Sequence, residues 1–350
     1  MRELKKITFL LGEFALQTPA QQILDRFLLG YPRDGGWRKF AGTKFFVAAS
    51  RSIGDAELTR RVRDFGLARV TDEQGYIQDS DAVVIIPSGS GAKPLPDNLV
   101  RFLIAARGKV DACFIYGALG HSPDVAHDMK GAAIAAQMGL LSGTWVPVAA
   151  RLPQVDVPAG AQLAEALVVV QGPKSEAELH GLDLVLALAE RRRGGEVGIE
   201  SVRTLAGGEV WREGEKRTWS WPLLAAALSR SNSPQGDALK DARTQDLAGL
   251  GLVQKLAREP RGISLQHKDG LRSTVLVLDG VVADINFAVQ LRSGEVISAQ
   301  VLRSPAPAEN HYTRLVAVID DFFRTGKAPW PASRGVLLSD LLARVSGIQH

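Results

Sequence analysis

At 350 residues the chain exceeds one ordinary hydrophobic core and points to two domains. Apolar residues make up 45% and charged residues 23%, a globular composition, and the net charge of +4 is spread over interleaved Lys, Arg, Asp and Glu, which argues against a nucleic-acid footprint. The single cysteine, Cys113, excludes an intrachain disulfide and a multi-cysteine metal site, and no stretch approaches the roughly 20 apolar residues that span a bilayer.

The expected location is therefore cytoplasmic, with no membrane partner. Arg2, Lys5 and Lys6 precede an apolar run, but Glu13 interrupts it before a signal-peptide pattern develops. The basic runs Arg60-Arg61-Val62-Arg63 and Arg191-Arg192-Arg193 fall on helical patterns and read as solvated faces.

The first half alternates strands with helices. Ile7 to Leu11 is a buried-strand pattern, and Pro19 to Leu29 a helix with Thr18 as its cap. Gly30 to Gly36 is a loop. Lys44 to Ala49, Ala68 to Thr71, Ala82 to Ile86, Ala112 to Tyr116 and Leu140 to Val148 read as strands. Asp55 to Phe65, Leu99 to Arg107 and His127 to Met138 read as helices between them. Such alternation builds right-handed βαβ crossovers on a parallel sheet, a Rossmann-like α/β domain over residues 1–150.

The turn after the first strand should read Gly-x-Gly-x-x-Gly if it cradles a dinucleotide. Here it reads Gly12-Glu13-Phe14-Ala15-Leu16-Gln17, one glycine and a carboxylate where an anion would sit. The second strand ends in Ser50-Arg51-Ser52, without the acid that holds a ribose; Arg51 is the residue able to meet a 2′-phosphate. Ser88-Gly89-Ser90-Gly91 is either an anion nest or a plain loop. Gly12, Arg51 and Ser88 are the cofactor-site candidates, and NAD(P) is expected to bind weakly.

From residue 151 the pattern changes. Ala166 to Val170 is a strand closed by Gly172-Pro173, and Glu176 to Arg193 a helix. Spacings of four and seven put Glu176, His180 and Asp183 on one helical stripe, while Leu182, Val185, Leu186 and Leu188 hold another face in a core. A carboxylate one turn from a histidine fixes its tautomer, an arrangement suited to acid–base work; the competing reading is a histidine that only caps or packs. Val197 to Leu205 and Glu209 to Trp211 read as strands, and Trp221 to Leu228 as a helix. Ile263 to Gln266, Arg272 to Leu278, Val281 to Leu291 and Val296 to Leu302 are strands joined at Asp269-Gly270, Asp279-Gly280 and Ser293-Gly294, which is hairpin chemistry. Helices Tyr312 to Arg324 and Leu337 to Val345 close the chain. This is an α+β domain with an open, mostly antiparallel sheet over residues 151–350, unless the last helices return to the first domain.

Arg230, Arg243 and Asp246 lie among small and amide residues. They either line a pocket for a polyhydroxylated or anionic ligand or form an internal salt bridge. Both faces of the strands in Arg272 to Leu302 carry apolar groups, and the helices looked too few to cover them. That predicts a homodimer or homotetramer contacting there, unless the loop Asn232 to Leu256 folds over the face.

Several stretches together resemble the Gfo/Idh/MocA (glucose–fructose oxidoreductase) superfamily: Gly108-Lys109 before a strand, the Val168 strand followed by Glu176-x-x-x-His180-x-x-Asp183, and Phe322 to Pro329. Ala227 to Ser231, Arg243 to Asp246 and Glu190 to Glu196 resemble an uncharacterised branch of it. The resemblance implies a Rossmann domain joined to an α+β domain, sugar-related oxidoreduction, His180 as catalytic histidine and Glu176 as the acid before it. The lysine that the superfamily carries after the strand Ala112 to Ile115 is replaced by Tyr116-Gly117-Ala118-Leu119-Gly120. Three functions follow: a divergent enzyme acting on a carbohydrate or keto-sugar, an inactive relative that binds a ligand or partner, or an NAD(P)-dependent dehydrogenase with an unusual cofactor loop.

Overall fold

A computed structural model of the protein describes residues 2–49, 55–70, 80–87, 110–235 and 247–347. The chain forms two compact units, Met1–Trp145 with Ser304–Ala343, and Val146–Arg303 with Arg344–His350.

The first unit opens with strand β1 (Lys6–Leu11), helix α1 (Pro19–Leu29) and a small hairpin, β2 (Tyr31–Arg33) with β3 (Gly36–Arg38). It continues through β4 (Lys44–Ala49), α2 (Asp55–Phe65), β5 (Ala68–Arg69), β6 (Ala82–Ile86), β7 (Ala112–Tyr116), α3 (Pro123–Ala135) and β8 (Gly139–Gly143). Six of the strands form a parallel sheet in the order β5-β4-β1-β6-β7-β8, which reverses direction beside β1. Every residue of β6 and β7 is buried, which is why these strands read as unbroken apolar runs. On one face Phe9 packs with Phe27, Phe40 and Phe45. On the other, Val83, Ile85, Cys113 and Ile115 meet Ala126, Met129 and Ala133 of α3.

The second unit holds β9 (Arg151–Leu152), β10 (Leu163–Val170), α4 (Lys174–Glu190), β11 (Ile199–Ala206), α5 (Gly208–Glu215), α6 (Trp221–Leu228) and α7 (Leu252–Leu256). Four more strands follow, β12 (Arg258–His267), β13 (Arg272–Asp279), β14 (Ile285–Leu291) and β15 (Val296–Val301). Its seven-stranded sheet runs β11-β12-β13-β10-β14-β15-β9, antiparallel except for the central pair β10–β13. The chain ends with α8 (His311–Thr325) and α9 (Ala332–Ser346), whose residues up to Ala343 belong to the first unit. There Asp320, fully buried on α8, accepts from Tyr31 Oη, Arg38 Nε and Arg324 Nε.

Several expectations change. Glu209 to Trp211 lie on a helix, because Gly207 at φ 55° ends β11 and α5 docks Val210 under Trp219, whose Nε1 donates to the Val210 carbonyl. The predicted strand Leu140 to Val148 stops at Gly143 and gives way to a short 3₁₀ turn, Val146–Val148. Val281 and Val282 are buried in a turn, and β14 begins only at Ile285. The sheet face expected to be bare is covered: α5, α6 and α7 bring Val210, Leu223, Leu224, Ala227 and Val253 onto Leu167, Val169, Leu276 and Ala288. The surface from which a homodimer was inferred is thus interior to the chain. Nor are the basic runs wholly solvated. Arg61 is buried between Asp25 (2.5 and 2.7 Å) and Glu57 (2.9 Å), and Arg192 between Asp269 (2.7 Å) and Glu196 (3.3 Å). Stripe counting treats arginine as surface, whereas a bidentate carboxylate partner lets it go inside.

Helix α4 lies on the opposite face of the sheet, and Gly181 is its point of closest approach. A Cβ there would stand 2.4 Å from Val275 Cγ1 and 3.5 Å from Val170 Cγ2. Gly181→Ala is expected to destabilise the chain by about 1–3 kcal/mol through overpacking, measured by denaturant unfolding. Adding Val275→Ala should recover much of that loss, whereas no recovery would place the cost elsewhere.

Candidate functional site

The candidate site is built on α4. Strand β10 ends at Val170, Gly172 at φ 113° and Pro173 turn the chain, and α4 starts with no side-chain cap. Twelve of its 17 residues are buried, so it is an interior helix rather than the amphipathic one expected. Glu178, His180 and Asp183 are accordingly buried polar groups, Asp183 completely. His180 Nδ1 stands 3.9 Å from Glu176 Oε1, with Glu176 about one-third exposed.

With Gly181 marking the sheet side, 100° per residue puts Glu176, His180 and Asp183 on the flank of α4 turned away from the sheet and Lys174 and Glu178 on the flank nearer it. The structure therefore keeps the predicted stripe together. On the second flank, burial pushes the Glu178 carboxyl up, while Lys174 and Arg261, the latter at 3.7 Å, oppose that rise. An open pocket of about 810 Å³ adjoins that flank, lined by Lys174, Arg258, Arg261 and Asp279 among others. It lies on the side of α4 away from His180.

Past its C-terminus α4 is locked by Arg192, which donates to the Ala189 carbonyl at 2.8 Å and to Asp269. His267, fully buried, places Nδ1 3.5 Å from Glu196 Oε2 and Nε2 2.9 Å from Ser273 Oγ. The acid–His–Ser connectivity looks like a catalytic relay, but Ser273 is itself fully buried, so the group is a lock. Sequence reading missed it because its members are spread over 82 positions, Arg192 to Ser273.

Arg230 does not join His180. Its Nε donates to Ser298 Oγ at 2.9 Å, and Ser298 is paired with Ala288, on the sheet face that α6 covers; α4 lies on the other face, against Val275. The sheet separates the two groups. Beside Arg230, the buried Asp284 carboxylate accepts from Ser231 Oγ, the Asn232 amide, Asn286 Nδ2 and Gln300 Nε2. It anchors the loop after α6, a role signalled in the sequence only by Asp284-x-Asn286 at the head of a strand. Arg243 and Asp246, like Arg51 and Ser88, lie outside the described residues.

In the first unit the Gly12 amide donates to the Ile86 carbonyl at 2.8 Å and so extends the β1–β6 ladder. Where the superfamily's lysine would follow β7, Tyr116 is buried with its Oη 3.5 Å from Tyr312 Oη, and Trp145 and His311 pack around Tyr312. Among the described residues no group of three or more His, Cys, Asp or Glu could hold a metal ion, and no helix is long and apolar enough to cross a membrane.

This architecture, a parallel sheet ordered around β1 and a mixed sheet with α4 on one face, is shared with several solved oxidoreductases. Three solved structures make the likeness concrete. Myo-inositol 2-dehydrogenase from Lactobacillus plantarum is 11% identical, with 98% of this chain and 96% of that chain covered and a TM-score of 0.58. GenD2 from gentamicin A biosynthesis, in complex with NAD, is 14% identical over 99% and 95%, with a TM-score of 0.59. Biliverdin reductase from Synechocystis sp. PCC 6803, with biliverdin and NADP+, is 11% identical over 98% of each chain, with a TM-score of 0.53. No protein-family model and no curated protein matches the sequence.

The lock beyond α4 has a measurable pH signature. Burial opposes ionisation of Glu196, but hydrogen bonding and charge from His267, the Gly198 amide and Arg192 outweigh it and hold the carboxyl at about 2. A carboxyl whose folded pKa lies below its unfolded value of about 4.3 contributes stability above that unfolded value, and the contribution is lost as pH falls toward about 2. Glu196→Gln should lower stability at pH 7 and flatten the decline between roughly pH 4.5 and 2, followed by unfolding across pH. An unchanged acid limb would remove Glu196 from the lock.

Proposed function

We propose that this chain is a divergent enzyme acting on a carbohydrate or keto-sugar through acid–base chemistry at His180. The observation that carries the reading is the Glu176–His180 pair, one helical turn apart on a helix fixed at both ends. Glu176 sits on the Nδ1 side of the imidazole, so Nε2 is the atom that takes a proton from the ligand. As His180 becomes imidazolium, the adjacent carboxylate stabilises the new charge without itself being protonated. Asp183, on the same flank, adds a second buried carboxylate to the field. The carbohydrate class is supported by the fold shared with a myo-inositol 2-dehydrogenase and with a UDP-N-acetylglucosamine 3-dehydrogenase.

A second reading, a ligand-binding relative without catalysis, is favoured by one observation: the position after β7 that holds the superfamily's lysine carries Tyr116, buried against Tyr312.

The two are separated by incubating the protein with a panel of keto-sugars in D2O and following deuterium uptake beside the carbonyl by NMR. Enzymatic exchange is expected, and His180→Ala should slow it about 10²–10⁴-fold with the fold retained by circular dichroism. Exchange that survives both His180→Ala and Glu176→Gln would move the chemistry elsewhere. Ligand binding with no exchange at all would establish the second reading.

A further inference from the structure

The superfamily fold implies a nicotinamide dinucleotide, and the place for its pyrophosphate is the turn from β1 into α1, beside the point where the sheet order reverses. Such a turn works by leaving the first amides of the helix unsatisfied and approachable. Here the chain takes up donors of that turn itself. Pro19 at the first position of α1 has no N–H. The Gln21 N–H donates to Thr18 Oγ1 (3.4 Å) and the Gln22 N–H to the Thr18 carbonyl (3.0 Å), while the Thr18 hydroxyl donates to the Ala15 carbonyl. Gln21 folds back so that Oε1 takes the Gln17 amide at 2.6 Å.

Space and charge are also committed. Where backbone alone should approach the phosphates, Phe14 is buried at 1% exposure under the Arg61 guanidinium, 5.0 Å from the ring centre. Arg61 is held by Asp25 and Glu57, and its pKa is raised first by the hydrogen bond to Asp25. Glu13 adds a half-buried carboxylate. Two carboxylates hold the guanidinium and leave it no free charge to offer a pyrophosphate.

We infer that this chain takes no NAD(P) at the β1–α1 turn and that the chemistry at His180 is redox-neutral proton transfer. The second clause rests on the reading of His180 as acid–base; the first stands without it. In such a step the C–H bond beside a carbonyl breaks, its proton goes to His180 Nε2, and its electron pair forms the enolate whose oxygen carries the charge. The proton then returns, or a β-hydroxyl leaves as water. Nothing is oxidised, so no hydride carrier is needed.

The test is a fluorescence titration of the full chain with NADH and NADPH, alongside thermal shift with NAD+ and NADP+. No saturation up to about 1 mM and no rise in melting temperature are expected. Saturable binding below that concentration, or a dinucleotide carried through purification, would overturn the inference. Deuterium exchange is then run without added nucleotide. Exchange that proceeds unaided supports the redox-neutral step, and exchange or turnover that demands NAD(P) overturns it. Absence of exchange together with absence of dinucleotide binding would sink the role of His180 and leave the closed turn standing.

Discussion

Helix α4 can lie against the sheet only because residue 181 lacks a side chain. That single contact, backbone onto Val275 and Val170, brings a helix with three buried polar groups into the second unit. Burying such groups is costly unless they are paired and held in place. The ends of the helix supply the hold. Before it, Asp279 takes the Gly172 amide at 2.7 Å and fixes the turn out of β10. Beyond it, Arg192 reaches back to the Ala189 carbonyl while Asp269, Glu196 and His267 keep the guanidinium in position. With both ends fixed and the sheet face in contact, the rotation of the helix about its own axis is set. That rotation decides which flank presents Glu176, His180 and Asp183.

Much of this was legible in the residues. The parallel sheet announced itself because β6 and β7, buried on both faces, must be apolar throughout, and strands of that kind alternating with helices have one topology. The hairpins of the second unit showed through Asp269-Gly270 and Ser293-Gly294, with Gly270 and Gly294 at φ 86° and 92°. The Glu176–His180–Asp183 stripe followed from helical period alone. The buried character of α4 was also present, since Leu179, Leu184 and Val185 point in well-separated directions around the axis. The polar stripe drew attention to one face and hid that all faces were apolar.

What stayed hidden was whatever depends on register or distant partners. Arg230 is a pocket candidate in the sequence because it is a polar residue in an apolar domain. Which side of a sheet a residue meets, however, is fixed by pairing such as Ala288 with Ser298, and a strand pattern read alone cannot supply it. Arg61 and Arg192 look like surface charge because one carboxylate partner of each, Asp25 and Asp269, is 36 and 77 positions away. Helix α5 was taken for a strand because two apolar residues, Val210 and Trp211, carry no period; Trp219, eight residues beyond Trp211, supplies the packing that decides it.

Two helix starts in this chain follow the same path and are closed differently. Each follows a central strand through a glycine-containing turn: β1 into α1 past Gly12, and β10 into α4 past Gly172. At α1 Thr18 caps the Gln21 amide and Gln21 takes the Gln17 amide, while at α4 Pro173 provides no side-chain cap. The strands feeding the two helices are both mostly buried, so the difference lies in the turns. Removing buried side chains from such strands costs several kcal/mol, whereas exchanging turn residues costs the core little. Selection on stability therefore holds the sheet order and the α4 contact in place, while the residues that grip a dinucleotide are kept only by the use of one. The buried strands thus fix the sheet order whatever residues stand at the β1–α1 turn, and Phe14, Thr18 and Pro19 occupy that turn without disturbing it.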